Sequence, residues 1–200
     1  MTSCIKEFKK DSVHYCKKLL LDCQREIKIV TFITTKGEID IQLYGDTNPV
    51  TVSNFLKNVN QGIYNNKKFY KVINYPNTKI IHSGAYLDND SFNKTNPLSY
   101  IISETIPLEI AIKKSKEPIY NSQITDPIKI KDIKHLFSKG SLAMVKVGVN
   151  QSSSTEFFFI LDKSREFNGR YALFGKVMKG FDNLNNIDEK DNILKIISRN

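Results

Sequence analysis

The chain has 200 residues, a formal net charge of +9 and a sequence pI near 9.3. That length suits one domain with some decoration, and no apolar run approaches the ~18 residues of a transmembrane helix. The surplus of positive charge favours anionic partners such as RNA or acidic protein segments. It is carried by dispersed lysines, with no Arg-rich run or basic motif interleaved with aromatics.

Residues 1–26 read as an extension. Their longest apolar run, Leu19-Leu20-Leu21, is far shorter than the ~7–15 residues of a signal-peptide core, which points to cytosol or nucleus. All three cysteines, Cys4, Cys16 and Cys23, sit here. The odd number and wide spacing predict reduced thiols and no metal site, despite His14 nearby. Asp11 or Ser12 can cap a helix on which Cys16, Leu19, Leu20 and Cys23 share one face. That face packs on the rest of the chain, on another copy, or on a protein partner.

Residues 27–44 predict a hairpin. Ile27, Ile29 and Ile33 alternate with Val30 and Phe32, so both faces of the first strand carry apolar residues and an outer cover is expected. Lys36-Gly37 makes the turn, and Ile39, Ile41 and Leu43 alternate on the return. A helix follows. Asn48 is placed to cap it, Pro49 suits its first turn and Gly62 its end. Val52, Phe55, Leu56 and Val59 form the buried stripe.

Residues 111–133 read as a solvated insertion, mobile or lying over the surface and dispensable for folding. From Ala111 to Lys139 there are seven lysines against three acids. Two strong apolar runs follow, Ser141–Val145 and Phe157–Leu161, separated by the polar, flexible span Asn150–Thr155. Next come the turn Asn168-Gly169-Arg170 and the run Tyr171–Gly175. A short helix near Phe181–Ile187 and a last strand, Ile193–Ile197, complete the chain.

The pattern G-x-L-x-M, then S/T-x-F-F-I/F, then F-G-K-V over Gly140–Val177 resembles the C-terminal half of cyclophilins, which are peptidyl-prolyl cis-trans isomerases. Gly62-Ile63-Tyr64 through Phe69-Tyr70-Lys71-Val72-Ile73 resembles the family's G-x-Y-x-G-x-x-F-H-R-V-I, and Thr105–Ile110 resembles a segment of bacterial-type members. Together the likeness covers about 29–86 and 134–198. It implies a mainly β fold: a closed antiparallel barrel of about eight strands capped by two helices. The implied domains are the helical extension 1–26 and a cyclophilin-like domain 27–200, with the lysine-rich insertion near 111–133.

The implied chemistry is rotation about X–Pro bonds in proline-containing polypeptides, against a barrier of about 18–20 kcal/mol. A donor aimed at the prolyl nitrogen stabilises the twisted amide, an apolar pocket holds the ring, and no cofactor is required. Lys71 aligns with the family's catalytic Arg and keeps the charge without the planar fork. Ile80 aligns with the pocket Met and His82 with a supporting Gln. The pocket Phe finds Lys79, or Tyr75 if the gap moves. Val145 and Lys146 take the places of the substrate-pairing Ala-Asn, and Glu156 replaces a second Gln. Phe158 keeps the pocket Phe, Phe167 aligns with the pocket Leu and Tyr171 with the pocket His. Glu166 stands where many members have Trp. If the barrel is kept, Glu156 faces the Lys71 ammonium and pairs with it. The expected function is an isomerase of reduced activity. The alternative is a non-catalytic module that binds proline-containing peptides or scaffolds a protein or ribonucleoprotein assembly.

Overall fold

The computed structural model describes residues 11–76, 78–85 and 104–199. The first ten residues of the extension, with Cys4, and residues 86–103 lie outside them. The framework is one strongly curled antiparallel sheet. Its strands are β1 (Ile27–Thr34), β2 (Gly37–Tyr44), β3 (Lys67–Lys68), β4 (Lys71–Tyr75), β5 (Thr78–Gly84), β6 (Thr105–Pro107), β9 (Ser141–Val147), β10 (Gln151–Ile160), β11 (Leu173–Lys179) and β12 (Asn192–Arg199). The ladder runs β3-β12-β1-β2-β11-β9-β10-β5-β4, with β6 beside β10. The path is open: β3 and β4, its two ends, are joined by the chain rather than by a ladder among the described residues. Ser83 Oγ, on β5 next to the β4 end, reaches across to β3 by donating to Lys68 O at 3.0 Å.

Period-2 alternation sorts the side chains. Phe32 pairs with Ile39 on β2 and Ile196 on β12, and all three are buried. The inner face meets α2 (Pro49–Asn60), whose stripe Val52, Phe55, Leu56 and Val59 is buried as its spacing predicts. Phe32, Phe55, Tyr64, Phe157, Phe159 and Phe174 interlock there, with ring centroids 5.1–6.1 Å apart. The outer face of β1 lacks the expected cover: Ile27 and Ile29 are exposed among the described residues. A second, short helix is α4 (Phe181–Asn185). Among the described residues no helix is long and apolar enough to cross a membrane.

The start of α2 departs from expectation. Asn48 makes no side-chain cap; its Nδ2 donates instead to Glu109 O at 3.1 Å. The Glu109 carboxylate takes over, accepting the Val50 and Thr51 N–H groups at 3.2 and 2.8 Å. Tyr120 OH donates to the same carboxylate at 2.9 Å. Glu109 is fully buried, and burial outweighs these bonds, so its pKa rises from 4.5 to about 7.

The lysine-rich stretch is built, not loose. β7 (Glu109–Ile110) pairs with β8 (Ile119–Tyr120), and Ile112 bridges Ile133. A one-turn helix, α3 (Pro127–Ile130), lies between. Ile110, Ile124 and Ile133 bury themselves with Leu108 and Ala172 of the main domain, while Lys113, Lys114, Lys116, Lys129 and Lys131 stay outside. The polar residues expected as a solvated loop are therefore the outer skin of a small apolar cluster.

The extension also differs. Helix α1 (Ser12–Lys18) is capped by the Asp11 carboxylate, which accepts the His14 N–H at 3.0 Å. It stops before Leu20, which has φ 52° and is 85 % exposed, so the four-residue helical face does not form. Cys23 folds back instead, and Cys16–Cys23 form a disulfide rather than reduced thiols. Tyr15 and Cys16 pack with Val50, and the Tyr15 ring lies 4.7 Å from that of Tyr120. Glu117 accepts the Ser12 N–H and pairs with Arg25. Extension and insertion thus hold each other against the domain.

Candidate active site

The site grows from three phenylalanines in a row. Alternation sends Phe157 and Phe159 into the interior and leaves Phe158 on the outer face of β10, in a separate apolar cluster. Register does the rest. Phe158 lies opposite His82 on β5 and Ala143 on β9. On the far side of β5, His82 faces Lys71 and Ile80 faces Ile73. One surface therefore carries Phe158, His82, Ile80, Ile73 and Lys71.

The opposite wall comes from the segment after β10. A 3₁₀ turn, Arg165–Phe167, brings Phe167 over, and Asn168 anchors it: its buried Oδ1 accepts the Phe137 N–H at 2.8 Å. Phe137 stacks behind Phe158 with ring centroids 6.3 Å apart and planes within 5°. Tyr171 meets Phe158 edge-on at 5.3 Å and Phe167 at 5.1 Å. His82 also stacks on Phe158, at 5.4 Å.

These groups enclose an open cavity of about 270 Å³. Of the nine residues singled out from sequence, seven line it: Ile80, His82, Val145, Lys146, Phe158, Phe167 and Tyr171. Ile73 and Tyr75 complete the lining. Tyr75 rather than Lys79 thus stands at the cavity. Lys79 points the other way, donating to Asn185 O and Ile187 O at 2.6 and 2.7 Å. Ile73 and the supporting Phe137 were missed. Ile73 carried a signal, falling two residues after Lys71 on the same strand face. Phe137 carried little, as a lone aromatic at the end of a lysine-rich stretch.

Lys71 and Glu156 stand outside the lining. Lys71 is exposed and makes no ion pair among the described residues. The expected Lys71–Glu156 pair is absent, because Tyr70 OH donates to Glu156 Oε2 at 2.7 Å instead. Partial burial raises the Glu156 pKa and the Tyr70 bond offsets some of this.

Glu156 owes its position to a bulge in β10 between Ser152 and Phe157. The polar residues before it are not a flexible span: Ser152 to Thr155 are buried within the strand. Asn54 and Asn58 of α2 both donate to Ser154 O, at 2.6 and 2.7 Å, and Ser153 Oγ accepts the Thr155 and Glu156 N–H groups. Gly84 makes the close approach on β5 possible, since a Cβ there would sit 2.3 Å from Thr155 O at φ +123°.

His82 is held neutral. Burial, then the nearby Lys71 charge, lowers its pKa to about 4. Lys146 Nζ rests 5.4 Å from the centre of the Tyr171 ring. The β9 backbone is also available here. Met144 N–H is the group bonded to Ala172 O, and alternation turns the Lys146 N–H to the same side, beyond the start of β11. The surface can seat a small apolar ring, offer a strand edge to an extended chain and present a cation beside both.

Residues 29–196 match the family model described as cyclophilin type peptidyl-prolyl cis-trans isomerase/CLD. The chain is 28 % identical to peptidyl-prolyl cis-trans isomerase B of Escherichia coli over 162 residues, covering 77 % of this chain and 80 % of that protein. It is also 28 % identical to peptidyl-prolyl cis-trans isomerase 10 of Caenorhabditis elegans over 159 residues, 80 % of this chain and 81 % of that one. Among solved structures, a cyclophilin-type isomerase of Cryptosporidium parvum superposes with a TM-score of 0.60 at 22 % identity, over 88 % of this chain and 99 % of that one. The same Cryptosporidium parvum protein, solved in the presence of the dipeptide Ala-Pro, gives a TM-score of 0.57 at 23 % identity, over 86 % and 99 % of the two chains. By fold and by this match, the chain belongs to the cyclophilin-type peptidyl-prolyl cis-trans isomerases, enzymes that rotate X–Pro bonds.

Proposed function

We propose that the cavity seats the proline ring of an X–Pro segment against Phe158, Phe167, Tyr171 and Ile80, and that Lys71 acts as the catalytic cation at reduced turnover. The observation that carries this reading is the convergence of seven sequence-selected residues on one apolar cavity beside an exposed cation. Twisting the amide puts a lone pair on the prolyl nitrogen, and a cation near it stabilises that state more than the planar one. A single flexible ammonium does this less well than a fixed guanidinium fork. Bringing a barrier of ~18–20 kcal/mol to millisecond turnover requires removing roughly 7 kcal/mol, of which Lys71 supplies part.

A second reading, a peptide-binding module without turnover, draws on Lys71 lying outside the cavity and on its having no ion pair to fix its direction among the described residues. Exchange NMR on an Ala-Pro peptide, with and without the protein, separates the two. We expect acceleration that Lys71→Ala abolishes and Lys71→Arg increases severalfold. Full activity that survives Lys71→Ala would remove Lys71 from the mechanism. Saturable binding with no acceleration would establish the module instead.

A further inference from the structure

The cavity is apolar at its floor and cationic at its rim. Lys146 is half-buried, lines the cavity and holds its ammonium over Tyr171 at 5.4 Å. Lys71 stands across β4 and β5, opposite His82. No carboxylate lines the cavity among the described residues. Glu156, the acid closest in register, is engaged by Tyr70. Glu166 lies exposed on the 3₁₀ turn beside Arg165, with Arg170 exposed just beyond. Lys146 makes no ion pair among the described residues.

Distance then decides what that charge reads. A proline ring seated against Phe158 and Tyr171 shares the cavity with the Lys146 side chain. Successive residues of an extended chain are about 3.3 Å apart. A side chain on the residue before the proline therefore ends within reach of an ammonium poised 5.4 Å over Tyr171. Partial burial lowers the local dielectric, so the charge counts for more than on an open surface. We propose that the site selects X–Pro segments in which X is acidic, with Lys146 as the residue that determines this preference. The proposal rests on the reading of the cavity as the prolyl site.

The test is exchange NMR on three peptides differing only at X, Glu, Ala or Lys before Pro, with shift titrations of the same peptides. An exposed to half-buried pair changes affinity by about threefold to fivefold, so attraction and repulsion together predict roughly a tenfold preference in kcat/KM for Glu over Lys. The preference should shrink at high salt. Lys146→Gln should flatten the order and Lys146→Glu should invert it. Equal acceleration of all three peptides overturns the charge selection and leaves the isomerase site standing. A preference unchanged in Lys146→Glu removes Lys146 as its source and overturns the proposal. Tighter binding of the Glu peptide with no acceleration of any peptide upholds the charge selection and overturns Lys71 catalysis.

Discussion

Replacing Glu109 by Gln tests whether the carboxylate at the start of α2 carries the burial cost that its surroundings imply. Glu109 is 0 % exposed and accepts two helix N–H groups and one phenol. Its pKa rises from 4.5 to about 7, so the folded chain holds this proton more tightly than the unfolded one. The site's stabilisation is therefore complete below about pH 4.5 and is lost as pH rises through about 7. At roughly 1.4 kcal/mol per pH unit, the loss is worth about 3 kcal/mol. Gln keeps the shape and one acceptor oxygen, loses the acceptor for the other helix amide at every pH alike, and does not titrate. Urea unfolding of both proteins from pH 4 to 8.5 gives the assay, and subtraction cancels the groups they share. Wild type relative to Glu109→Gln should lose about 3 kcal/mol across that range. A difference that stays constant with pH would show Glu109 titrating as it does in the unfolded chain, and the desolvation argument would fail.

The aromatic floor should be costly to remove: Phe158→Ala should destabilise the fold by about 3–4 kcal/mol and abolish peptide binding, read by calorimetric unfolding and shift titration. Because the His82 pKa lies near 4, the ring stays neutral and kcat/KM should be flat from pH 6 to 8; a step centred near 6.5 would mean that His82 titrates as if exposed. Deleting residues 113–132 removes Tyr120 from Glu109 and uncovers Leu108 and Ala172, so thermal unfolding should move down by many degrees; an unchanged midpoint would return the segment to a dispensable loop. Reduction of Cys16–Cys23, seven positions apart, should cost about 2 kcal/mol or less and leave the isomerisation rate unchanged. Cyclosporin should bind weakly, since Glu166 presents an exposed carboxylate where many members have an indole; nanomolar affinity by calorimetry would refute this.

Local periodicity fixed much of what is seen. Alternation in Ile27–Leu43 gave the hairpin, and the spacing of Val52, Phe55, Leu56 and Val59 gave the face that α2 buries. In Phe157-Phe158-Phe159, alternation leaves the middle ring outside once the neighbours are inside. These features repeat over one or two turns of chain, so nearby residues suffice to specify them. The resemblance then placed most of the cavity wall, because strand register carries aligned residues to one surface.

What only the tertiary structure decided are contacts between residues distant in sequence. Nothing near Asn48 announces that Glu109 will cap its helix, or that Tyr120 will join it. Nor does the neighbourhood of Glu156 show that Tyr70, and not Lys71, will reach its carboxylate. Adjacent residues on a strand face opposite ways, so which of Tyr70 and Lys71 meets Glu156 depends on the register and on the bulge before Phe157. The lysine-rich stretch misled for a related reason. Its charges mark its solvent face, and its two buried isoleucines, Ile124 and Ile133, with Ile110 just before it, are spaced too irregularly to announce a core. They become one when the strands before and after bring Leu108 and Ala172 beneath them.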